Sequence, residues 1–488
     1  MKRKLSLLLC LMLILSAASC GGETGGETKT TSSGNDSEST STADSEYDFA
    51  DINYDGKDFV FLNVESSTIT RSMLCVDSEM TGDVLDDAIW KRSSTIEDMY
   101  NMKIVEQLEA YDQIDDMVRT TVLSGDDEYQ VAFPLTAQMA SLFTDGLVWN
   151  LNEGSGFQFD KPWWDSAVMS EAAVGSDEAI YFASSDISLH NFNMSWCMYF
   201  NRNMVIDHQL ELPYDMVKQG KWTYDELLKY ISVGHNLNGD ASYAWNKDGK
   251  SVYGITTMQP DGITNSFVAC GEKYISMNNG DPKLAAGSDH FYNVAEKLAK
   301  IYGTEGQAFF GNDRNNGSHY EMVFASGRSM FTACEIKGGN GYGAYSEMKD
   351  DYGIVPLPKL DENQENYISP IALWTYFMVI PKTNNDIETT SKILDTLAYL
   401  SYRDVVPAFY DVTLNIKNIR DEETTEMLDI IRASRTYDTA YAFGWGSSLR
   451  SSIASKIVSG SSDIASDIAA QKESTEAAIK TSLEAFAK

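Results

Sequence analysis

Positive charge is scarce in this sequence. It contains 38 Lys and Arg against 72 Asp and Glu, which gives a formal net charge of −34 at pH 7. Nucleic acids and anionic lipid surfaces bind clusters of cations, so neither is an expected partner. The excess of acidic side chains is typical of a well-solvated protein surface.

Sequence motifs of catalysis and metal binding are also missing. The five His show no H-E-x-x-H spacing, and the chain beyond residue 20 has no G-x-S-x-G nucleophile motif. The Gly-rich stretch 339–343 lacks the Lys-Ser/Thr of a phosphate-binding loop and is interpreted as a turn. We therefore expect no metal and no cofactor. A pair of carboxylates for glycoside hydrolysis stays open, because such pairs meet in space and not in sequence.

Cysteines beyond the N-terminal region are few and scattered. Cys75, Cys197, Cys270 and Cys334 show no C-x-x-C spacing, so they are either buried thiols or members of one or two disulfides. Beyond the first 20 residues, long apolar runs are lacking as well. None reaches about 18 residues, so no transmembrane helix is predicted.

The N-terminus has the pattern of an export signal. Three cations at 2–4 precede the apolar run 5–15, and four small residues then lead to Cys20. This ending resembles a bacterial lipobox, although Ala17 stands where Leu is commoner. The resemblance implies a signal peptide over 1–19, acylation of Cys20, and a lipid-anchored protein on the extracytoplasmic side of the cell membrane. Ordinary secretion with cleavage near Ala18 is the alternative.

The segment after Cys20 is predicted to be a disordered linker. Residues 21–46 are almost all Gly, Thr, Ser, Asp and Glu, with no large apolar side chain, and such a composition cannot bury enough surface to offset the entropy of ordering. We assign 20–54 to the lipidated Cys and its linker, whose flexible part reaches roughly 28 Å.

The remaining 440 or so residues are too many for one ordinary core and favour two α/β lobes. Apolar patterns predict strand, helix, strand, helix and strand in the first part, which implies a parallel sheet with ligands bound beyond the carboxyl ends of its strands. The elements are a strand at 59–64, a helix over 84–100, a strand at 102–105, a helix around 114–122 and a strand at 129–133.

Further elements follow along the chain. Thr223 and Glu226 predict a capped helix after Trp222. The most apolar stretch, 373–380, is predicted to be a buried strand that leaves one lobe and ends at Pro381. Other predicted elements are strands at 252–256, 329–333 and 352–355, a helix over 393–400, and two late helices around 464–468 and 479–486.

Several stretches, taken in order, resemble the family 1 extracellular solute-binding proteins of ABC importers, which include maltodextrin-binding proteins. The stretches are Tyr-Phe-Asn-Arg at 199–202, Lys-Trp-Thr-Tyr-Asp-Glu-Leu at 221–227, Phe-Ala-Ser-Gly-Arg-Ser-Met-Phe at 324–331 and Tyr-Gly-Ile-Val-Pro-Leu-Pro at 352–358. The resemblance spans most of residues 55–488.

The resemblance implies a periplasmic-binding-protein-like (type II) fold, in which two α/β lobes joined by a hinge close on a ligand held between them. Carried over by position, the chain first crosses between lobes near 184–194 and returns near 369–381. Lobe 1 is then 55–185 plus 376–405, and lobe 2 is 186–375 plus 406–488.

Ligand-binding candidates follow from this expected cleft. Ser66 and Ser67 end the first strand, Thr136 follows the third, Asn193, Ser195 and Trp196 lie by the first crossing, and Thr264 and Asn265 open a lobe 2 helix. Glu335 begins Glu-Ile-Lys where the family has a Gly-Pro-Trp-like element, and Trp374 faces either the hinge or the core. For most of these residues, packing or helix capping is the alternative role.

Aromatic side chains support a saccharide ligand, because aromatic faces stack on sugar rings. The chain has nine Trp and 26 Tyr. Trp445 occupies the place where maltodextrin-binding proteins carry a sugar-stacking Trp, with core packing as its alternative role. Trp222 is expected to be structural.

The sequence thus predicts a monomeric, membrane-tethered receptor that captures a solute, expected to be an oligosaccharide, and delivers it to the permease subunits of an ABC importer. Two alternatives remain. One is a surface-anchored glycoside hydrolase or lyase, which needs two positioned carboxylates. The other is an adhesive surface protein without a small-molecule cleft.

Overall fold

The structure is a computed structural model that describes residues 47–65, 74, 82–311, 319–339, 345, 348–414 and 422–486, with backbone only at 411–414 and 422. Ser66, Ser67, Cys75, Cys20 and the predicted linker as far as residue 46 lie outside the described residues. Residues 50–488 form one compact unit.

The strands of the described part are β1 Asp58–Val64, β2 Lys103–Glu109, β3 Val131–Ala132, β4 Trp196–Asn201, β5 Tyr253–Thr257, β6 Ile275–Asn278, β7 Asp281–Leu284, β8 Ala308–Phe310, β9 Ser329–Glu335, β10 Tyr352–Val355, β11 Ser369–Pro370 and β12 Arg435–Thr436. The helices are α1 Val84–Tyr100, α2 Ile114–Ser124, α3 Met139–Thr144, α4 Ser166–Met169, α5 His190–Asn193, α6 Arg202–Asp207, α7 Tyr214–Lys218, α8 Tyr224–Val233, α9 Asp261–Ala269, α10 Asp289–Tyr302, α11 Tyr320–Ala325, α12 Ile387–Leu400, α13 Val406–Leu414, α14 Glu422–Ala433, α15 Ser447–Val458 and α16 Ala465–Phe486. Short 3-10 turns lie at Thr136–Gln138, Leu151–Glu153, Ile336–Gly339 and Thr439–Tyr441, and a π turn at Ser401–Val405.

The first sheet has the order β2-β1-β3 and is fully parallel. Phe61 of β1 lies opposite both Glu106 of β2 and Val131 of β3. The connections run through α1 and α2, as the predicted strand-helix order requires. That prediction is confirmed, although β3 is shorter than expected.

The second sheet has the order β10-β4-β9-β5-β8. Strands β5, β8 and β9 run parallel, while β4 is antiparallel to both β9 and β10. Helix α8 packs on β5 and begins as predicted, because the Thr223 hydroxyl accepts a hydrogen bond from the Glu226 amide at 3.3 Å. Trp222 is fully buried and donates to the Pro356 carbonyl at 3.0 Å, which fits its expected structural role.

The predicted strand at 373–380 is wrong as a regular strand. Residues 376–381 make isolated antiparallel bridges to three places: Tyr376 and Val379 pair with Leu135 and Ala132 in one register, Met378 pairs with Ala183, and Pro381 pairs with Val148. Residues 132–136 run antiparallel to 375–379, but the pairing consists of isolated bridges and forms no continuous ladder. We call residues 371–381 the crossing segment, because it bridges residues of the first sheet and residues that precede the second.

The two late helices predicted after residue 464 are one helix, α16. The intervening residues 471–478 are Ala, Glu, Gln, Lys, Ser and Thr without Gly or Pro, so nothing in the sequence interrupts the helix. The predicted lobe boundaries stay a prediction.

Cys197, Cys270 and Cys334 are buried free thiols in the structure. Among the described helices, none is long and apolar enough to cross a membrane. The described residues also contain no group of His, Cys, Asp and Glu that could hold a metal ion.

Candidate functional site

Two carboxylates lie near the carboxyl ends of β5 and β9. Asp261 is the first residue of α9, which follows β5, and Glu335 is the last residue of β9. Because β5 and β9 are parallel neighbours, their carboxyl ends share one edge of the sheet. Gly262 lets α9 start close to β5, since an added Cβ there would clash with the Thr257 side chain.

Asp261 and Glu335 influence each other electrostatically. Asp261 is half-buried, and desolvation together with the charge of Glu335 raises its pKa to about 6. Glu335 is 3% exposed, accepts a hydrogen bond from the Tyr320 hydroxyl at 3.4 Å, and lies 3.9 Å from the Lys337 ammonium. Within the described residues, Asp261 forms no salt bridge.

Trp374 presents an aromatic face beside this pair. It lies on the crossing segment and is 51% exposed, while its neighbours Leu373 and Thr375 are buried. Tyr441 connects Trp374 to the carboxylates. Desolvation and the charge of Asp261 raise the pKa of Tyr441, and a hydrogen bond with Trp374 opposes the shift. Tyr441 is thus near both Trp374 and Asp261.

His190 lies on α5, which packs on the 3-10 turn Ile336–Gly339 directly after Glu335. Its ring centroid lies 4.8 Å from that of Tyr376, and it is only 4% exposed. Burial and the charge of Lys337 lower its pKa to about 3, so the imidazole is neutral at physiological pH. Neither ring nitrogen has a hydrogen-bond partner within the described part of the chain. Asp261, Glu335, Trp374, Tyr441 and His190 are called the edge cluster below.

Two further buried polar groups lie close to the edge cluster. Trp196 pairs directly with Glu335 across β4 and β9, so both side chains project from the same face of the sheet. Its indole nitrogen has no partner among the described residues. Asn265 lies one helical turn beyond Asp261 on α9, and its amide group is also without a partner there.

The sequence candidates therefore fall into separate groups. The structure brings Glu335, Trp374, Trp196 and Asn265 to one region. Thr264 is buried, and its hydroxyl donates to the Pro260 carbonyl at 3.3 Å, one turn back on its own helix.

Three other candidates are buried in supporting positions. The Thr136 hydroxyl donates to the Leu373 carbonyl and accepts from the Thr375 amide, which ties the crossing segment down. Ser195 donates to the Asn191 carbonyl at 3.0 Å. Asn193 is buried on α5.

Trp445 lies in the core. It is 1% exposed, donates to the Ser482 hydroxyl at 3.0 Å, and stacks on Phe443 with ring centroids 4.9 Å apart. The hydrogen bond to Ser482 ties Trp445 to α16. The structure thus favours the packing alternative over sugar stacking.

Sequence reasoning missed Asp261, Tyr441 and His190. A signal for Asp261 was present, because it follows the predicted strand at 252–256 at its carboxyl end. Tyr441 and His190 carry no such signal, since they reach the site from segments far away in the chain.

A separate open groove of about 890 Å³ lies elsewhere on the molecule. Phe143, Tyr181, Leu483, Phe486 and Lys382 are among the residues that line it. The residues predicted to bind ligand do not belong to this lining, so the groove is a rival location for a ligand.

Comparison with known proteins shows the fold. No family model and no curated protein matches this sequence. Solved structures, in contrast, match this chain in fold. An ABC substrate-binding protein, Lmo0181 from Listeria monocytogenes in complex with cycloalternan, is 11% identical, with 88% of this chain and 99% of that chain covered and a TM-score of 0.52. UgpB from Mycobacterium tuberculosis, in complex with glycerophosphocholine, is 14% identical, with coverages of 87% and 98% and a TM-score of 0.53.

A cyclo/maltodextrin-binding protein complexed with maltotetraose is 12% identical, with coverages of 88% and 96% and a TM-score of 0.52. At such identities the likeness concerns the fold. It confirms the predicted two-lobed, periplasmic-binding-protein-like α/β architecture.

Proposed function

We propose that this protein is a solute-binding receptor that captures an oligosaccharide at the edge cluster and delivers it to an ABC importer. The observation that carries the proposal is the edge cluster itself. It combines an exposed indole, Trp374, with unpartnered buried polar groups at the carboxyl edge of a sheet, where open α/β folds bind ligands. Two of the similar structures named above are binding proteins in complex with saccharides.

The crossing segment gives this site a means of closure. It bridges Leu135, just after the first sheet, and Ser195, just before β4 of the second sheet, and Trp374 lies between these two bridges. A ligand that contacts both sides stabilises the closed arrangement by its differential affinity for it. Trp374 and Tyr376 lie on the hinge side of the site, and Asp261 and Glu335 on the sheet side.

The N-terminal pattern supports a membrane tether within this proposal. Acylation of Cys20 and the linker over 20–54 hold the receptor near a permease. Metabolic labelling with an alkyne fatty acid tests the tether. We expect label on the full chain and none on the Cys20→Ala variant, and label on neither chain would contradict the anchor.

Binding is tested by differential scanning fluorimetry with maltodextrins, cellodextrins, chitin and chitosan oligosaccharides, cycloalternan and glycerophosphocholine. A ligand at 100 times its Kd adds about 2.7 kcal/mol to the free energy of unfolding. The proposal expects a saccharide to raise the melting temperature, and expects Trp374→Ala to reduce that shift. No shift with any saccharide, but one with a non-saccharide, would contradict the oligosaccharide assignment.

A glycoside hydrolase is the second candidate, and the pair Asp261 and Glu335 is the observation that favours it. A carboxylic acid whose pKa is raised to about 6 beside a second carboxylate is the arrangement that such enzymes use. Incubation with fluorescently labelled oligosaccharides separates the two functions. Steady release of shorter products, lost in Asp261→Asn, would establish hydrolysis, whereas intact substrate after hours supports binding alone.

A further inference from the structure

The edge cluster has an excess of negative charge. Glu335 has Lys337 nearby at 3.9 Å, but Asp261 has no cation partner among the described residues. His190 supplies no positive charge, because its imidazole is neutral. On the neighbouring helix α11, Glu321 is already engaged with His319 at 3.2 Å. One negative charge at this edge is therefore left without a counterion from these neighbours.

A positively charged ligand group is the natural counterpart of that carboxylate. Desolvation and the repulsion between Asp261 and Glu335 both disfavour the ionised form of Asp261. A cation placed beside the two carboxylates removes the repulsion and replaces the lost hydration. The same cation placed against Trp374 or Tyr441 gains a cation–π interaction, because aromatic faces carry negative potential.

Independent polar groups at this edge suit a ligand that also carries hydroxyl groups. The buried indole N–H of Trp196 and the two ring nitrogens of His190 have no hydrogen-bond partners in the described part of the structure. Trp196 shares a sheet face with Glu335, and His190 lies beside Tyr376 of the crossing segment. The indole N–H of Trp196 needs a hydrogen-bond acceptor, and the neutral imidazole of His190 needs one donor and one acceptor. A hydroxyl group can serve as donor or as acceptor.

We propose that the edge cluster selects saccharides that carry a free amino group, with the ammonium placed between Asp261, Glu335 and the face of Trp374. This inference rests on the proposed function, since it names the ligand class of the same site. The hydroxyl groups of the sugar satisfy Trp196 and His190, and its apolar ring face lies on the aromatic side chains. Asp261 sets the preference for the amine.

Three trisaccharides with one backbone test the inference. Chitosan trisaccharide, chitin trisaccharide and cellotriose are β-1,4-linked and differ at C2, which carries an amine, an N-acetyl group or a hydroxyl. Calorimetric titration at pH 7 in low salt is expected to give a Kd for chitosan trisaccharide at least tenfold below that for cellotriose. Raising the salt concentration should narrow this ratio, because it screens the charge interaction.

Variants assign the preference to Asp261. In Asp261→Asn, the ratio of the two Kd values should fall below about threefold. Asp289→Asn is the matched control, because Asp289 is also the first residue of a lobe helix, α10, but is exposed to solvent. In Asp289→Asn, the ratio of the Kd for cellotriose to the Kd for chitosan trisaccharide should equal that of the unmodified protein. Glu335→Gln provides a second variant if Asp261→Asn fails to fold, and circular dichroism checks folding.

The outcomes separate the inference from the proposed function. Equal affinity for cellotriose and chitosan trisaccharide, or a preference that persists in both Asp261→Asn and Glu335→Gln, would overturn the amine selectivity and leave saccharide binding intact. Failure of every saccharide, maltotriose included, to bind would overturn both. A tenfold preference that is lost only with the edge cluster variants supports the inference.

Discussion

Replacing two tryptophans by alanine separates ligand binding from core packing. Trp374 is 51% exposed on the crossing segment, whereas Trp445 is 1% exposed and fully packed. The same chemical change is therefore expected to affect binding at the first position and stability at the second.

The burial of each ring sets the size of the effect. A Trp side chain buries about 150–250 Å², and at about 25 cal/mol per Å² full burial contributes about 4–6 kcal/mol. Trp445→Ala should therefore lower the free energy of unfolding by about 3–5 kcal/mol, the range found when a large buried side chain leaves a cavity. Trp374→Ala should lower it by less than about 2 kcal/mol, because half of its surface is already in water.

For ligand affinity we expect the opposite order: Trp374→Ala should have the larger effect and Trp445→Ala the smaller. Loss of an aromatic anchor at a binding surface costs about 1–3 kcal/mol, which corresponds to about a 5- to 150-fold rise in Kd. Urea unfolding of the free proteins and calorimetric titration with the best saccharide from the panel measure both quantities. If Trp374→Ala bound as tightly as the unmodified protein, or if Trp445→Ala unfolded at the same urea concentration, the assignment of the two residues would be refuted.

Three further predictions concern buried groups. Burial lowers the pKa of His190 from its ordinary value of 6.5 to about 3, so between these pH values the unfolded chain binds a proton at this residue and the folded chain does not. The free energy of unfolding should therefore fall by about 2–3 kcal/mol between pH 6.5 and 4.5. His190→Gln should lose that part of the pH dependence, and a variant whose urea unfolding depends on pH as the unmodified protein's does would contradict this prediction. In the core, Arg450 donates hydrogen bonds to the Asp438 carboxylate from both Nε (3.2 Å) and Nη2 (2.6 Å). Arg450→Met should lower the free energy of unfolding by about 3–5 kcal/mol, because it leaves the buried carboxylate unpaired, and adding Asp438→Asn should restore part of the loss. A double variant no more stable than Arg450→Met would count against this pair. Burial raises the pKa of the Cys197 and Cys334 thiols. Ellman's reagent should therefore leave both thiols unmodified until the chain unfolds. Rapid labelling of either Cys in the folded protein, with the labelled residue identified by mass spectrometry, would disprove their burial.

Local signals explain which parts of the fold were predictable. The cap at Thr223, the apolar strand at 59–64 and the stripe of α1 each depend on residues close together in sequence, and all three lie where they were expected. The segment 373–380 is equally apolar but forms no regular strand, because its pairing with 132–136 and with Ala183 consists of isolated bridges. Apolar character predicts that a segment is buried. Whether it forms a strand depends on the neighbouring segment with which its backbone pairs.

The site was less accessible to sequence reasoning than the fold. Glu335 and Trp374 were reached through the resemblance to a family and the expected cleft. Asp261, Tyr441 and His190 come together from α9, a 3-10 turn near the C-terminus and a short helix before β4. The pKa values of these residues are shifted by desolvation and by the charges of Glu335, Lys337 and Asp261, which no local pattern records.

A crystal structure with the tightest saccharide of the panel tests the central claim most directly. We predict that the sugar ring lies on the indole of Trp374, with hydrogen bonds to Asp261 and to the indole nitrogen of Trp196. Ligand found in the groove between Phe143 and Phe486, with the edge cluster unchanged, would contradict the account.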